Sequence, residues 1–135
     1  MAIKIPPALI DFVRGKPGWV ATASRDGVPN VSIKGSLRVL DAENLIFADL
    51  YSLKTRSNLL ENPNCAIMVY EESSRKGYCF KGKAELISRG PVYDQMAEQI
   101  KLRFPDAPAP KYAVKVGIEA IYDQSMGPEG GKKLA

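Results

Sequence analysis

Lys54 and Thr55 open a short segment, residues 52–62, whose composition suits a helix stopped by Pro63. Lys54 and Arg56 fall in its first turn, where the helix dipole is positive and backbone N–H groups are free. Glu61 falls in the last turn, where cations are preferred. The charges are therefore inverted against the dipole, at a cost of about 0.3–1 kcal/mol each. A bound anion would remove the conflict, because backbone N–H groups, the Lys54 ammonium and the Thr55 hydroxyl could converge on one phosphate. On charge alone a solvated helix end remains an equal reading. A second run of donors lies upstream. Ser32, Lys34, Ser36 and Arg38 alternate with Val31, Ile33, Gly35, Leu37 and Val39 along a segment with strand periodicity. Such a face is either the wet side of a sheet or a donor-only wall for a phosphate and ring carbonyls. Gly35 marks a bulge or a close approach of backbone or of a flat ring.

Other chemistries are poorly served. The chain contains no histidine, which removes Ser-His-Asp and Cys-His nucleophile systems and any His-ligated metal. Its two cysteines, Cys65 and Cys79, are too few for a structural zinc site. Pairing the strands around a turn at 72–77 would put Cys79 opposite Tyr70 and Cys65 opposite Ala84, too far apart to bridge, so two free thiols are expected. The glycines form neither a dinucleotide fingerprint nor a P-loop. Asp41, Glu71, Glu72 and Glu85 have no spacing that argues for a catalytic pair. Trp19, Tyr78 and Phe80 read as packing residues. Net charge is +4 and the isoelectric point about 9.1. The cations are spread rather than blocked and no aromatic RNA-binding motif appears, which disfavours nucleic acid as a partner. No apolar run approaches a membrane span, and a reducing, cytoplasmic setting is expected.

The elements that must position these residues follow from turn signals and periodicity. Helices are predicted at 7–14, 52–62 and 90–104, the last with Tyr93, Met96, Ala97, Ile100 and Phe104 on one stripe. Strands are predicted at 19–24, 30–40, 45–50, 65–70, 78–88 and 112–122. Residues 65–70 are apolar on both faces and so predict a central, fully buried strand. The Gly-rich tail from Gly127 is expected to be loose. At 135 residues the chain makes one domain. Consecutive hairpins without long βαβ units predict a mainly β (α+β) fold: a small antiparallel split β-barrel, Greek-key-like, flanked by two or three short helices.

The ordered set WVATASRDGVPNVS, GSLRVLDAENLIFAD, LKTRSNLLENPNCAIMVY and GYCFKGKAEL resembles the pyridoxamine 5′-phosphate oxidase-like FMN-binding split barrels. The resemblance runs from Trp19 to Leu86, with a continuation to Tyr122. It implies a homodimer with flavin at the subunit interface. It implies that Lys54 and Thr55 hold the FMN phosphate, with Asn58 one turn further on. Ser32 matches a hydroxyl residue that reaches the phosphate or ribityl chain. Residues 31–34 and 48–51, among them Ile33, Lys34, Asp49, Leu50 and Tyr51, match the backbone stretches beside the isoalloxazine ring. The chain departs from the oxidases themselves in lacking the C-terminal histidine that helps hold their substrate. Related small barrels bind haem or a deazaflavin coenzyme, and the missing histidine weighs against haem. The expected function is that of an FMN-dependent oxidoreductase with a small-molecule redox substrate or electron partner. A non-enzymatic flavin module is the alternative, followed by a deazaflavin-dependent reductase and a barrel for single-stranded nucleic acid.

Overall fold

The structure, a computed structural model, describes residues 2–135. Its elements run α1 (Pro7–Val13), β1 (Gly18–Ala23), β2 (Pro29–Lys34), β3 (Arg38–Asp41), β4 (Asn44–Asp49), α2 (Leu53–Glu61), β5 (Asn64–Glu71), β6 (Lys76–Ile87), α3 (Pro91–Arg103) and β7 (Tyr112–Asp123). The strands form one antiparallel sheet in the order β2-β1-β5-β6-β7-β4-β3. Its two edges, β2 and β3, are neighbours along the chain, joined by residues 35–37 alone. The sheet therefore coils until its edges meet, and the inner faces of β1, β4, β5, β6 and β7 share one core around Val20, Phe47, Ile67, Phe80 and Val116. This is the expected split barrel: covalent connection, not a hydrogen-bonded ladder, closes the ring.

The predicted strand 30–40 is two strands. Leu37 turns into the core, and a side chain at Gly18 would come within 2.5 Å of its Cδ2 atom. Glycine at 18 thus makes room for the chain to cross from one edge to the other. The polarity of β2 is also set by closure. Ser32 pairs with Val20 and Lys34 with Gly18, so these polar residues share the inward side, where α2 covers them. Val31 and Ile33 face outward and are 62% and 57% exposed.

The β5–β6 register is two residues from the expected one. Glu71 pairs with Lys76, Met68 with Cys79 and Cys65 with Gly82. The turn is tighter than 72–77 because Arg75 adopts a positive φ of 58°. Both cysteines are free, Cys65 buried and Cys79 half-buried. Strand β5 is central as expected, but only Cys65, Ile67 and Val69 are buried, while its outer residues Ala66, Met68 and Tyr70 are half-covered. Helix α3 packs Met96 and Ile100 outside the barrel on Ile46, Ala48 and Ala113. The tail is docked rather than loose: Leu134 N–H donates to the Ile121 carbonyl (2.8 Å) and Asp123 N–H to the Lys132 carbonyl (2.8 Å). Among the described residues no helix is long and apolar enough to cross a membrane.

Gly82 sits at the register shift in β6, where a Cβ would collide with the Gly117 carbonyl. Gly82→Ala is expected to cost about 2–3 kcal/mol, measured by denaturant unfolding. Burial, then the neighbouring Cys79, pushes the Cys65 thiol from its ordinary value near 9 up to about 12. The unfolded chain loses that proton first, so stability falls as pH rises between those limits. The loss is ~1.4 kcal/mol per pH unit from this group. Cys65→Ala should flatten the alkaline slope of stability against pH by that amount.

Candidate functional site

Where β4 ends, the chain turns through residues 50–52 into α2, and this corner carries the polar contacts. Asp49, the last residue of β4, is 2% exposed. Its carboxylate accepts from Arg56 Nε (2.6 Å) and Nη2 (3.0 Å) in a two-pronged pair. This pair satisfies the charge that sequence alone sets against the helix dipole, and it holds Arg56 protonated. Glu61, the other misplaced charge, accepts from the Arg25 N–H (3.1 Å) and so steadies the β1–β2 turn. Arg56 and Glu61 therefore have structural partners, and the dipole argument for an anion narrows to Lys54. That side chain is exposed and makes no hydrogen bond or ion pair among the described residues.

Two further contacts stitch α2 to the inward side of β1 and β2. The Ser32 and Thr55 hydroxyls are 2.9 Å apart, with Thr55 buried. The Asn58 amide donates to the Thr22 hydroxyl (3.0 Å). Asn58 is fully buried, a packing position rather than an open one. Ser52 caps no helix N–H and instead accepts from the Lys34 ammonium. Burial lowers the Lys34 pKa, Asp49 partly counters it, and Arg56 lowers it further.

A groove of about 390 Å³ runs between the β2 end and the corner after β4. It is lined by Ser32, Ile33, Lys34, Gly35, Ser36, Ala48, Leu50, Tyr51, Ser52 and Phe104. The two backbone stretches singled out in the sequence, 31–34 and 48–51, are thus brought together as its facing walls. Ser32 links the groove to Thr55, and Lys54 stands beside Thr55 at the helix start. Of the nine expected site residues, Ser32, Ile33, Lys34, Leu50 and Tyr51 line the groove. Lys54 and Thr55 stand at its helix end, and Asp49 and Asn58 are buried in the scaffold.

Three contributors, Ser52, Phe104 and Arg103, have no place in the sequence reading of the site. Ser52 stands at the N-cap of α2, yet its side chain bonds Lys34 rather than the helix, which local sequence does not reveal. Phe104 comes from the end of α3, far away in the chain. Ser36, on the donor face expected from the sequence, instead fixes the β2–β3 crossing by accepting from the Ala48 N–H (2.8 Å). Arg103 donates to the Gly35 carbonyl (2.9 Å). Only the Asp49–Arg56 pair had a readable signal, a seven-residue spacing of opposite charges across a strand end and a helix turn. Arg56→Met would leave Asp49 buried without its cation, and should cost about 3 kcal/mol in denaturant unfolding. Adding Asp49→Asn should recover part of that loss.

Residues 5–125 match the family described as pyridoxamine 5′-phosphate oxidase. An uncharacterized protein of Methanocaldococcus jannaschii is 35% identical over 135 residues, covering 98% of this chain and 89% of that protein. The crystal structure of HupZ from Group A Streptococcus superposes with a TM-score of 0.81 at 25% identity, over 94% of this chain and 99% of that one. An FMN-binding protein from Syntrophomonas wolfei has a TM-score of 0.69 at 19% identity, over 90% and 84% of the two chains. The same fold is found in an F420 reductase, with a TM-score of 0.67 at 20% identity over 88% and 98%. With nearly its whole length matched and the split barrel in common, the chain belongs to the pyridoxamine 5′-phosphate oxidase family.

Proposed function

We propose that the protein binds FMN in the groove between β2 and the β4–α2 corner and works as an FMN-dependent oxidoreductase. The observation that carries this reading is the convergence of two donor-bearing walls on a helix start with a free cation. The residues fit the cofactor. Lys54, Thr55 and Ser32 supply an ammonium and two hydroxyls for a phosphate, and the Lys34 ammonium lies in the groove beside the walls for a flat ring. When bound, the flavin supplies hydride or single-electron transfer. The chain's own residues orient it and exclude water. Lys34 holds a proton at Nζ that its half-buried setting makes easier to release. Asp49 and Asn58 act from behind, by fixing α2.

The groove is open on one side, and the sheet beside it is apolar on its outer surface. Val31, Ala21 and Ala66 form one row across β2, β1 and β5; Ile33, Trp19 and Met68 form the next. Tyr51, on the groove lining, and Leu53, the first residue of α2, are also 80% and 77% exposed. Such a continuous apolar face supports a homodimer in which a second copy completes each flavin site. A deazaflavin coenzyme is the second reading, favoured by the fold shared with an F420 reductase.

The visible spectrum of the freshly purified protein is expected to show bound flavin and separates FMN from a deazaflavin. A colourless protein that fails to take up added FMN ends the proposal. Lys54→Ala should weaken FMN binding at least ~10-fold by fluorescence titration, as expected for a charge-assisted phosphate contact. Lys111→Ala, an exposed lysine outside the groove, should change it little.

A further inference from the structure

On the far side of the Gly35–Ser36 crossing lies a second polar centre, built around Arg38. Arg38 pairs with Ile46 across β3–β4. Its side chain therefore shares the outer side with the cluster that Ile46 forms with Met96 and Ile100 under α3. Its Nε is buried without a hydrogen-bond partner, and among the described residues the guanidinium has no ion pair. Burial weakens its hold on its proton. Arg38 as a whole is half-buried, so it is this one N–H that is taken from water and left unpaired, which costs stability unless something compensates it.

The space around it is a built cavity. One chamber of about 520 Å³, between the end of α1 and α3, is lined by Arg38, Lys16, Gln99 and Arg103. A second of about 610 Å³ continues past Arg38 to Arg14, Gln95 and Asp41. Gly15, Arg38 and Gln99 line both, so Arg38 stands at their junction. The neighbouring cations are already engaged. Arg14 pairs with Asp11 (3.2 Å), Lys16 with Glu71 (3.3 Å), and Arg103 donates to the Gly35 carbonyl. Asp41 is the one carboxylate among the described lining residues; its Oδ1 accepts from the Glu43 N–H and the Asn44 amide, each at 2.8 Å, and these neutral donors leave its charge in place. The cavity thus presents the unpaired Arg38 guanidinium, two glutamine amides and engaged cations, with the Asp41 carboxylate in the second chamber. Its size suits a small organic molecule.

We propose that this cavity is a binding site for a small organic oxyanion, a carboxylate or a phosphate ester, held by Arg38 with Gln99 beside it. The planar fork of the guanidinium matches either group through two parallel hydrogen bonds. The site is separate from the flavin groove, though Gly35 and Ser36 line both, and it does not depend on the flavin reading.

The test is a thermal melt and a calorimetric titration of the full chain in low-salt buffer. Inorganic phosphate and succinate are the probes, and sodium chloride of equal ionic strength is the control. At least one probe should raise Tm by a few degrees beyond the chloride control; the more effective one identifies the ligand group as phosphate or carboxylate. Arg38→Met should abolish the succinate shift and, in the Lys54→Ala background, the phosphate shift, while its own Tm without probe equals or exceeds that of the unmodified protein. Lys54→Ala alone should keep a shift. Neither probe acting, a shift surviving where Arg38→Met should abolish it, or the loss of all shift in Lys54→Ala would each overturn the proposal. Should Arg38→Met not fold, Arg38→Lys and Gln99→Leu carry the test: each should weaken probe binding several-fold, and unchanged binding in both refutes the site.

Discussion

The pair between Asp49 and Arg56 fixes the geometry on which the groove depends. A carboxylate 2% exposed is tolerable only when its charge is met by well-aligned donors, and Arg56 meets it from one turn into α2. The Asp49 backbone carbonyl also accepts from the Lys111 N–H (2.8 Å), just before β7. Three elements are thereby tied to one position. Once α2 is fixed there, Thr55 can reach Ser32, Asn58 can reach Thr22, and Ser52 can meet Lys34. Remove the pair and the hydroxyl contacts, each worth about 1 kcal/mol, have no frame to act within.

Much of this was legible in the chain. Proline and glycine punctuation placed every helix, because Pro7, Pro63, Gly90-Pro91 and the run of prolines after Phe104 each limit the backbone locally. The groove walls and the Lys54-Thr55 helix start were legible through the family resemblance, since no local signal brings 31–34 against 48–51. What escaped was set by closure. The alternation from Val31 to Val39 is a true strand pattern, but period two cannot show that the chain leaves one edge at Gly35 and joins the other at Arg38. Nor can it say which face looks inward. The apolar run 65–70 was read as buried on both sides because hydrophobicity reports a preference to be covered, not what does the covering.

That last misreading and the polarity of β2 share one cause. In a closed sheet the inner volume is filled from all strands at once, and the inward side of β2 is occupied by α2 rather than by aliphatic side chains. Polar residues therefore turn in, where they meet hydroxyls and a helix start. Their apolar neighbours turn out next to Trp19 and Met68. The strand is amphipathic in the reverse of the usual sense, with polar contacts internal and hydrophobic contact left to whatever lies outside.

The three-residue crossing at 35–37 also governs the order in which the barrel can form. β1 and β2 are local and can pair early, and β5 and β6 likewise. β4, however, finds its ladder partner in β7, the last strand of the sequence, with Leu45 against Val116. Until β7 arrives, the β3–β4 hairpin has only itself, and a lone hairpin is marginal in water. A ring whose final rung is also its longest-range one pays loop-closure entropy before any of it is returned. The ladder between β4 and β7 is thus the pairing whose loop closure costs the most entropy, and β3 and β4 join the rest of the sheet only through it.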